Sequence, residues 1–216
     1  AFNDPLYFNK IQEYSKIISQ KNALLRQGKI EQIQLWNEML AKSAVQLMKH
    51  RNSYVEQVNQ HLNDIFKDIS GRTETLKLIY KPSLNSADYE EKNCLQQLEN
   101  SLPRDLQYGF AVLGPHRDEY HLMMDGKKDR DFFSQGEFRI TNLSLKMTIN
   151  RLFYEEYQFY PVLIFDDLFS ELDDEVIKNV FQYFLTLKNQ IFITSTSEPS
   201  GSLTVKKFNI VKGELV

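Results

Sequence analysis

Only one cysteine, Cys94, occurs among the 216 residues. The chain can therefore close no internal disulfide and build no cysteine-rich metal site. Apolar runs are short, Val162–Phe165 among them, and none approaches the length needed to cross a bilayer as a helix. The opening stretch AFNDPLYFNK lacks the basic-then-apolar layout of a signal peptide. Together these absences lead to the expectation of a cytoplasmic protein with no membrane partner. A further absence concerns phosphate binding. The pattern GxxxxGK[ST] needs a glycine five residues before a Gly-Lys pair and a hydroxyl after it. The two Gly-Lys pairs, Gly28-Lys29 and Gly126-Lys127, are preceded at that offset by Ala23 and His121 and followed by Ile30 and Lys128. Neither is a phosphate loop.

What is present is enough for a packed core, with 42% hydrophobic and 25% charged residues. The net charge of −3 gives no overall reason to expect a nucleic-acid partner. Its distribution is uneven. Residues 1–82 carry 12 Lys/Arg against 8 Asp/Glu, and residues 83–216 carry 14 against 21. Two regions with different partners would look like this, and so would solvated helix faces that happen to differ.

Ile11, Tyr14, Ile18 and Leu25 recur at helical spacing, and Gly28 marks a stop. A second helical pattern runs from Ile30 to about Ile69 through Met48, Val55, Val58, Leu62 and Ile65. Roughly 40 residues at 1.5 Å each would make a helix about 60 Å long, too long for one small core to cover. The two helices read as a projecting antiparallel pair, with Trp36 expected to be buried against the first. Beyond Gly71, the pattern predicts strands at Thr75–Tyr80, Phe110–Leu113 and Tyr120–Met124, a helix over 87–100, and a hairpin turn at Asp125-Gly126. A helix follows Gly136 to about Tyr157. Then come a buried-type strand Val162–Phe165, a helix Asp174–Leu187 and a strand Gln190–Thr194. Strand, helix, strand in this order implies a parallel sheet. Val205–Val211 and a Lys212-Gly213 turn close the chain.

Two stretches carry chemistry. In PVLIFDDLFSELDDE, residues 161–175, four apolar residues end in Asp166 and Asp167. Ligands of open parallel sheets bind beyond the carboxyl ends of the strands. There one carboxylate can hold magnesium and the next can orient a water; the plainer alternative is that the two aspartates cap a turn. In Phe133-Ser134-Gln135-Gly136-Glu137, a helix start offers backbone N–H groups to an anion, and Gly136 permits close approach. Ser134 with Glu137 three residues on is also a capping box that needs no ligand.

SQGEFR, VLIFDDLFSELDDE and GPHRDE (114–119), found together after two long helices, resemble RecF, the bacterial recombination-repair family with an ABC-type ATPase head. The likeness runs from Tyr14, Leu25, Leu35, Trp36 and Arg51 to the final Val211-Lys212-Gly213-Glu214. It implies an α/β fold: the parallel-sheet-containing half of an ABC-type head (73–216) with a projecting antiparallel helical arm (1–72). It also implies ATP and Mg2+ as ligands of the intact head. Asp166 stands as the Walker B carboxylate on magnesium and Asp167 as the water-activating acid. Ser134, Gln135 and Gly136 resemble the signature motif, which meets ATP held by the other protomer. Ser170, Glu171, Leu172 and Asp173 resemble the D-loop at that interface. Thr196 or Ser195 takes the place of a switch histidine. Implied partners are DNA, a second copy in an ATP-dependent homodimer, a RecR-type repair protein, and the missing N-terminal head half that carries the phosphate loop.

Glu137 and Phe138 depart from the glutamine pair common in the family's signature. Two other functions stand beside this one. The chain could be an arm-type interaction module with an inactive head. It could also be a metal-dependent nuclease using Asp166, Asp167 and His116, which requires His116 to lie beside the acidic pair.

Overall fold

The computed structural model describes residues 5–85, 89–128, 133–195, 205–211 and 214–215. Helix α1 (Pro5–Gln27) ends at Gly28, whose φ of 68° lies in the left-handed region that glycine adopts freely. A short 3-10 turn (Ile30–Gln32) leads into α2 (Ile33–Ser70), 38 residues long. The pair is antiparallel. Next to the turn Leu25 and Ile33 are both buried, and at the far end Lys10 and Tyr7 hydrogen-bond His50 and Arg51, at 2.8 and 3.1 Å. Trp36, expected to be buried, is half-buried.

Past Arg51, α2 outruns α1, and its apolar stripe continues through Val55, Val58, Leu62, Ile65, Phe66 and Ile69, all buried. Besides α1, helix α2 packs along its length against β1 (Leu76–Lys81), α3 (Glu91–Asn100), α5 (Gln135–Tyr157) and α6 (Asp174–Leu185). A helix of this length was expected to exceed what one core can cover. Instead its second half lies inside a single cluster that also takes in Leu143, Met147, Val180 and Phe184.

Strand β1 pairs antiparallel with β2 (Glu119–Met124), from Leu76 opposite Met124 to Lys81 opposite Glu119. The outward backbone groups of β1 are met by α2: Asn59 donates to the Leu78 carbonyl and accepts from its N–H, both at 2.8 Å, and Asn63 accepts from Leu76 N–H at 3.0 Å. Asp125 and Gly126, with φ of 47° and 80°, turn β2 into β3 (Lys127–Lys128), the double positive φ that suits a two-residue hairpin.

Two expectations fail between these strands. Helix α4 (Leu102–Tyr108) was not foreseen, and Phe110–Leu113 is not a strand. Its amides are claimed by helices: Ala111 N–H donates to Asn22 of α1 and Val112 N–H to Asp105 of α4, both at 2.8 Å. Asp105 also accepts from Lys21 Nζ at 2.8 Å and from the Ser101 hydroxyl, and neither Lys21 nor Asp105 has any exposed side chain.

In the last third, β4 (Leu163–Phe165), α6 and β5 (Ile191–Ile193) form the parallel unit that the element order implied, with Leu163 opposite Ile191. Phe165 stacks on Phe184 of α6, their rings 5.3 Å apart. The other face of this sheet is uncovered: Ile164 is 75% exposed, Val162 52% and Phe192 47%. The expected buried-type strand is thus buried on one side only, because α6 packs on a single face. Strands β6 (Ile210–Val211) and β7 (Glu214–Leu215) pair antiparallel; Lys212-Gly213, expected as a turn, lies outside the described residues. Among the described residues, no helix is long and apolar enough to cross a membrane. The chain is mostly helical, with small sheets.

The Lys21–Asp105 pair yields a stability prediction. Desolvation lowers the Lys21 pKa, and the hydrogen bond and charge of Asp105 oppose that shift. Removing the carboxylate leaves a buried amine without its partner, so Asp105→Ala is expected to destabilise the chain by about 3–5 kcal/mol in urea unfolding.

Candidate functional site

Asp166 and Asp167 follow β4 directly, and Thr194 follows β5. The parallel register brings Thr194 across from them: its N–H donates to the Phe165 carbonyl at 2.9 Å. The Thr194 hydroxyl donates to the Asp166 carboxylate and accepts from Asp167 N–H at 3.0 Å. Asp167 has a φ of 47°, left-handed for a non-glycine residue. Its carbonyl accepts from Arg139 Nη1 at 2.7 Å and from the Ser170 hydroxyl at 3.4 Å.

Arg139 sits one turn into α5, whose start is the second stretch singled out in the sequence. Ser134 is the N-cap, and the capping box is complete. Its hydroxyl accepts from Glu137 N–H at 3.2 Å, and Glu137 accepts from Ser134 N–H at 2.8 Å. The Ser134 N–H bond and then Arg72, at 2.7 Å, hold the Glu137 carboxyl below the usual carboxylate range. Gln135, with its amide nitrogen facing Glu171, donates to both carboxylate oxygens, at 2.7 and 3.3 Å. Arg139 Nε donates to the same carboxylate at 3.2 Å. A Cβ on Gly136 would stand 3.0 Å from the Glu171 carbonyl oxygen.

Gln135, Gly136, Asp167, Ser170 and Glu171 therefore form one cluster, with Asp166 at its rim. Two D-loop candidates are occupied otherwise. Asp173 caps α6, accepting from Val176 N–H at 2.8 Å, and Leu172 packs against the core. Ser195 is exposed just beyond Thr194, while Thr196 lies outside the described residues. Sequence reasoning gave no role to Thr194 or Arg139. The arginine closing SQGEFR and the hydroxyl run after Ile193 were the available signals.

GPHRDE has a structural part to play. Asp118 accepts from Arg51 Nη1 and the Tyr80 hydroxyl, both at 2.5 Å, and from Ser83 N–H at 2.9 Å. Arg51 Nη1 also reaches the Pro115 carbonyl. His116 Nε2–H donates to the Ala111 carbonyl at 3.0 Å, which makes Nδ1 the acceptor for the Tyr14 hydroxyl at 2.6 Å. Both imidazole nitrogens are thus engaged. Among the described residues, no three His, Cys, Asp or Glu side chains gather as a metal cluster, which leaves the nuclease reading without its required geometry.

No protein-family model matches the sequence. Individual proteins do. RecF of Geotalea uraniireducens (strain Rf4), a DNA replication and repair protein, is 30% identical over 205 residues, covering 93% of this chain and 56% of that protein. RecF of Listeria monocytogenes serotype 4b (strain CLIP80459) is 34% identical over 203 residues, 89% of this chain and 55% of its own length. A solved structure of the recombination mediator RecF with ATP superposes with a TM-score of 0.79 at 29% identity, over 99% of this chain and 58% of that one. The chain is a RecF homologue. It spans a little over half the length of these RecF relatives. RecF is an ATP-binding family of DNA replication and repair.

Two measurements probe this local geometry. Replacing a helical glycine by alanine normally stabilises by about 1 kcal/mol. Gly136→Ala is expected to forfeit that gain or reverse it, because the methyl group meets a backbone oxygen; thermal melting gives the sign. His116 supplies a pH signature. Burial lowers its pKa, with Arg117 and Lys21 pushing the same way and the Ala111 hydrogen bond and Asp118 opposing. The stability gained from the neutral ring is fully present above its unfolded pKa of about 6.5 and is lost as pH falls through the lower folded value. His116→Gln is therefore expected to show a smaller drop in melting temperature between neutral and mildly acid pH than the parent.

Proposed function

We propose that the chain is one lobe of an ATP-hydrolysing DNA-repair switch. It supplies the acidic, signature and D-loop elements, and a second lobe supplies the phosphate loop. The observation carrying this reading is the shared cluster at the carboxyl end of β4. There Gln135 and Gly136 meet Glu171, and Arg139 of the same helix bridges Glu171 to the Asp167 carbonyl. On this reading residues 73–216 belong to an α/β head of ABC type. The α1–α2 pair within 1–72 is its arm, rooted in the head by the second half of α2. The uncovered face of β4 and β5 is where the phosphate-loop lobe packs, since parallel strands are ordinarily covered on both faces.

Asp166 is an exposed carboxylate held on one oxygen by Thr194. A carboxylate beside a threonine hydroxyl fits magnesium, which takes few protein ligands and completes its shell with water and phosphate. The ion, when bound, neutralises charge on the phosphates. Asp167 orients the attacking water and accepts its proton. Ser134, Gln135 and Gly136 present hydroxyl, amide and backbone N–H groups to the nucleotide held by a second copy, and Ser170 to Asp173 line the same contact. Ser195 or Thr196 occupies the switch position. ATP-dependent dimerisation on DNA then controls engagement of a RecR-type repair partner.

The test uses the chain alone and the chain joined to a phosphate-loop lobe. Alone, it is expected to show no magnesium-dependent ATP turnover; clear turnover, with contaminants excluded, contradicts the reading. In the joined protein, Asp167→Asn is expected to leave ATP binding intact and slow single-turnover hydrolysis by on the order of a hundredfold. Ser134→Arg is expected to bind ATP but remain monomeric in sedimentation. Hydrolysis by Asp167→Asn at the parental rate would remove the catalytic assignment, and failure of the joined parent to bind ATP would favour an interaction module with an inactive head.

A further inference from the structure

Two residues of the acidic loop, Asp167 and Glu171, hold left-handed backbone conformations without being glycine, at φ of 47° and 66°. Each such residue carries a steric cost and persists only where its surroundings over-determine it. The structure identifies what does so. Asp167 N–H is fixed by Thr194, and its carbonyl by Arg139 and Ser170. Glu171 is held through its carboxylate by Arg139 and Gln135, and Gly136 lies against its carbonyl. The Arg139 side chain hydrogen-bonds both strained residues.

We propose that Arg139 is a positioning residue that couples the start of α5 to the acidic pair, so that the signature-type loop and Asp167 move as one body. Arg139 lies three residues after Gly136, on the same face of the helix one turn on. Its planar fork presents donors at fixed relative positions, with Nη1 on the Asp167 carbonyl and Nε on the Glu171 carboxylate. The ion pair with Glu171 is partly solvated, with the two side chains 35% and 46% exposed, and pairs of this kind contribute little to stability. The bond to the Asp167 carbonyl is the informative one. Together with Thr194 on the amide, it sets the orientation of the peptide groups flanking Asp167. A displaced α5 start would drag that carbonyl and rotate the carboxylate meant for water. Asp167 is thereby aligned only while the helix start is seated.

The consequence for turnover rests on the ATPase reading; the mechanical coupling does not. The test therefore has two arms. In the 216-residue chain itself, Arg139→Met is expected to raise amide hydrogen exchange across 167–171 by about tenfold or more while α6 keeps its protection, because only the local opening is affected. In the chain joined to a phosphate-loop lobe, the same variant is expected to bind ATP within about threefold of the parent but hydrolyse it at least tenfold more slowly in a single turnover, as small misplacements of a catalytic group do. A general loss of packing would weaken binding and turnover together and would deprotect α6 as well. Arg139→Lys keeps the charge but replaces the fork by one flexible donor head, so it is expected to resemble Arg139→Met. Unchanged exchange at 167–171, or full recovery with lysine, overturns the proposal. If the joined parent hydrolyses no ATP, the functional reading fails, and the exchange arm still decides the coupling.

Discussion

Helix α2 has to serve two environments without a break, and the other elements are arranged around that requirement. Its first half pairs with α1, and the helix as a whole is the wall against which β1, α3, α5 and α6 pack. Burial on several sides between Leu40 and Met48, followed by a narrower apolar stripe from Val55 to Ile69 at helical spacing, meets both demands. The polar positions beside that stripe are equally constrained. Asn59 and Asn63 complete the hydrogen bonding of β1, and Arg51 fastens the loop before β2 through Pro115 and Asp118. A kink in α2 would separate these contacts from one another, and the sheet, the GPHRDE loop and the helix pair would lose their common frame.

The periodic elements were the legible part of the fold. Both long helices, the β1 and β2 strands, the Asp125-Gly126 turn, α5 and the β4–α6–β5 unit all carry their pattern within their own residues, and all are found. What was not legible depends on partners distant in sequence. Phe110–Leu113 has the composition of a strand, but Asn22 and Asp105 satisfy its amides and no neighbouring strand is needed. Val162–Phe165 looks buried because a one-sided strand and a two-sided one share the same short apolar run. The role of α2 as core was hidden for a related reason: its stripe gives a direction for burial and says nothing of what lies there.

At the candidate site, motif reading located residue types and missed the joints between them. Gln135, Gly136, Asp167, Ser170 and Glu171 were each singled out, and they do come together. The groups that join them are largely backbone: the carbonyls of Asp167 and Glu171, and the amide of Asp167. A sequence names side chains, so contacts made through peptide groups leave no local trace in it. Thr194 and Arg139 act on such groups, which is why neither stood out. Ser134 and Glu137 illustrate the converse. Their capping box is fully formed, yet it also rigidifies the helix start from which Gln135 and Gly136 are presented. A local structural duty and a ligand-facing one are compatible at the same residues.

The two asparagines along β1 also determine where the molecule can join another polypeptide through a sheet margin. A strand at the end of a sheet ordinarily offers an open ladder to any extended segment that drifts past. On β1 the rungs at Leu76 and Leu78 are already taken by side chains from α2, so that margin is closed to intruders. In the parallel sheet, by contrast, β4 and β5 have only each other among the described residues, and Ile164 and Phe192 lie bare beside them. An extended segment from another polypeptide therefore meets blocked rungs at β1, and exposed apolar side chains at β4 and β5.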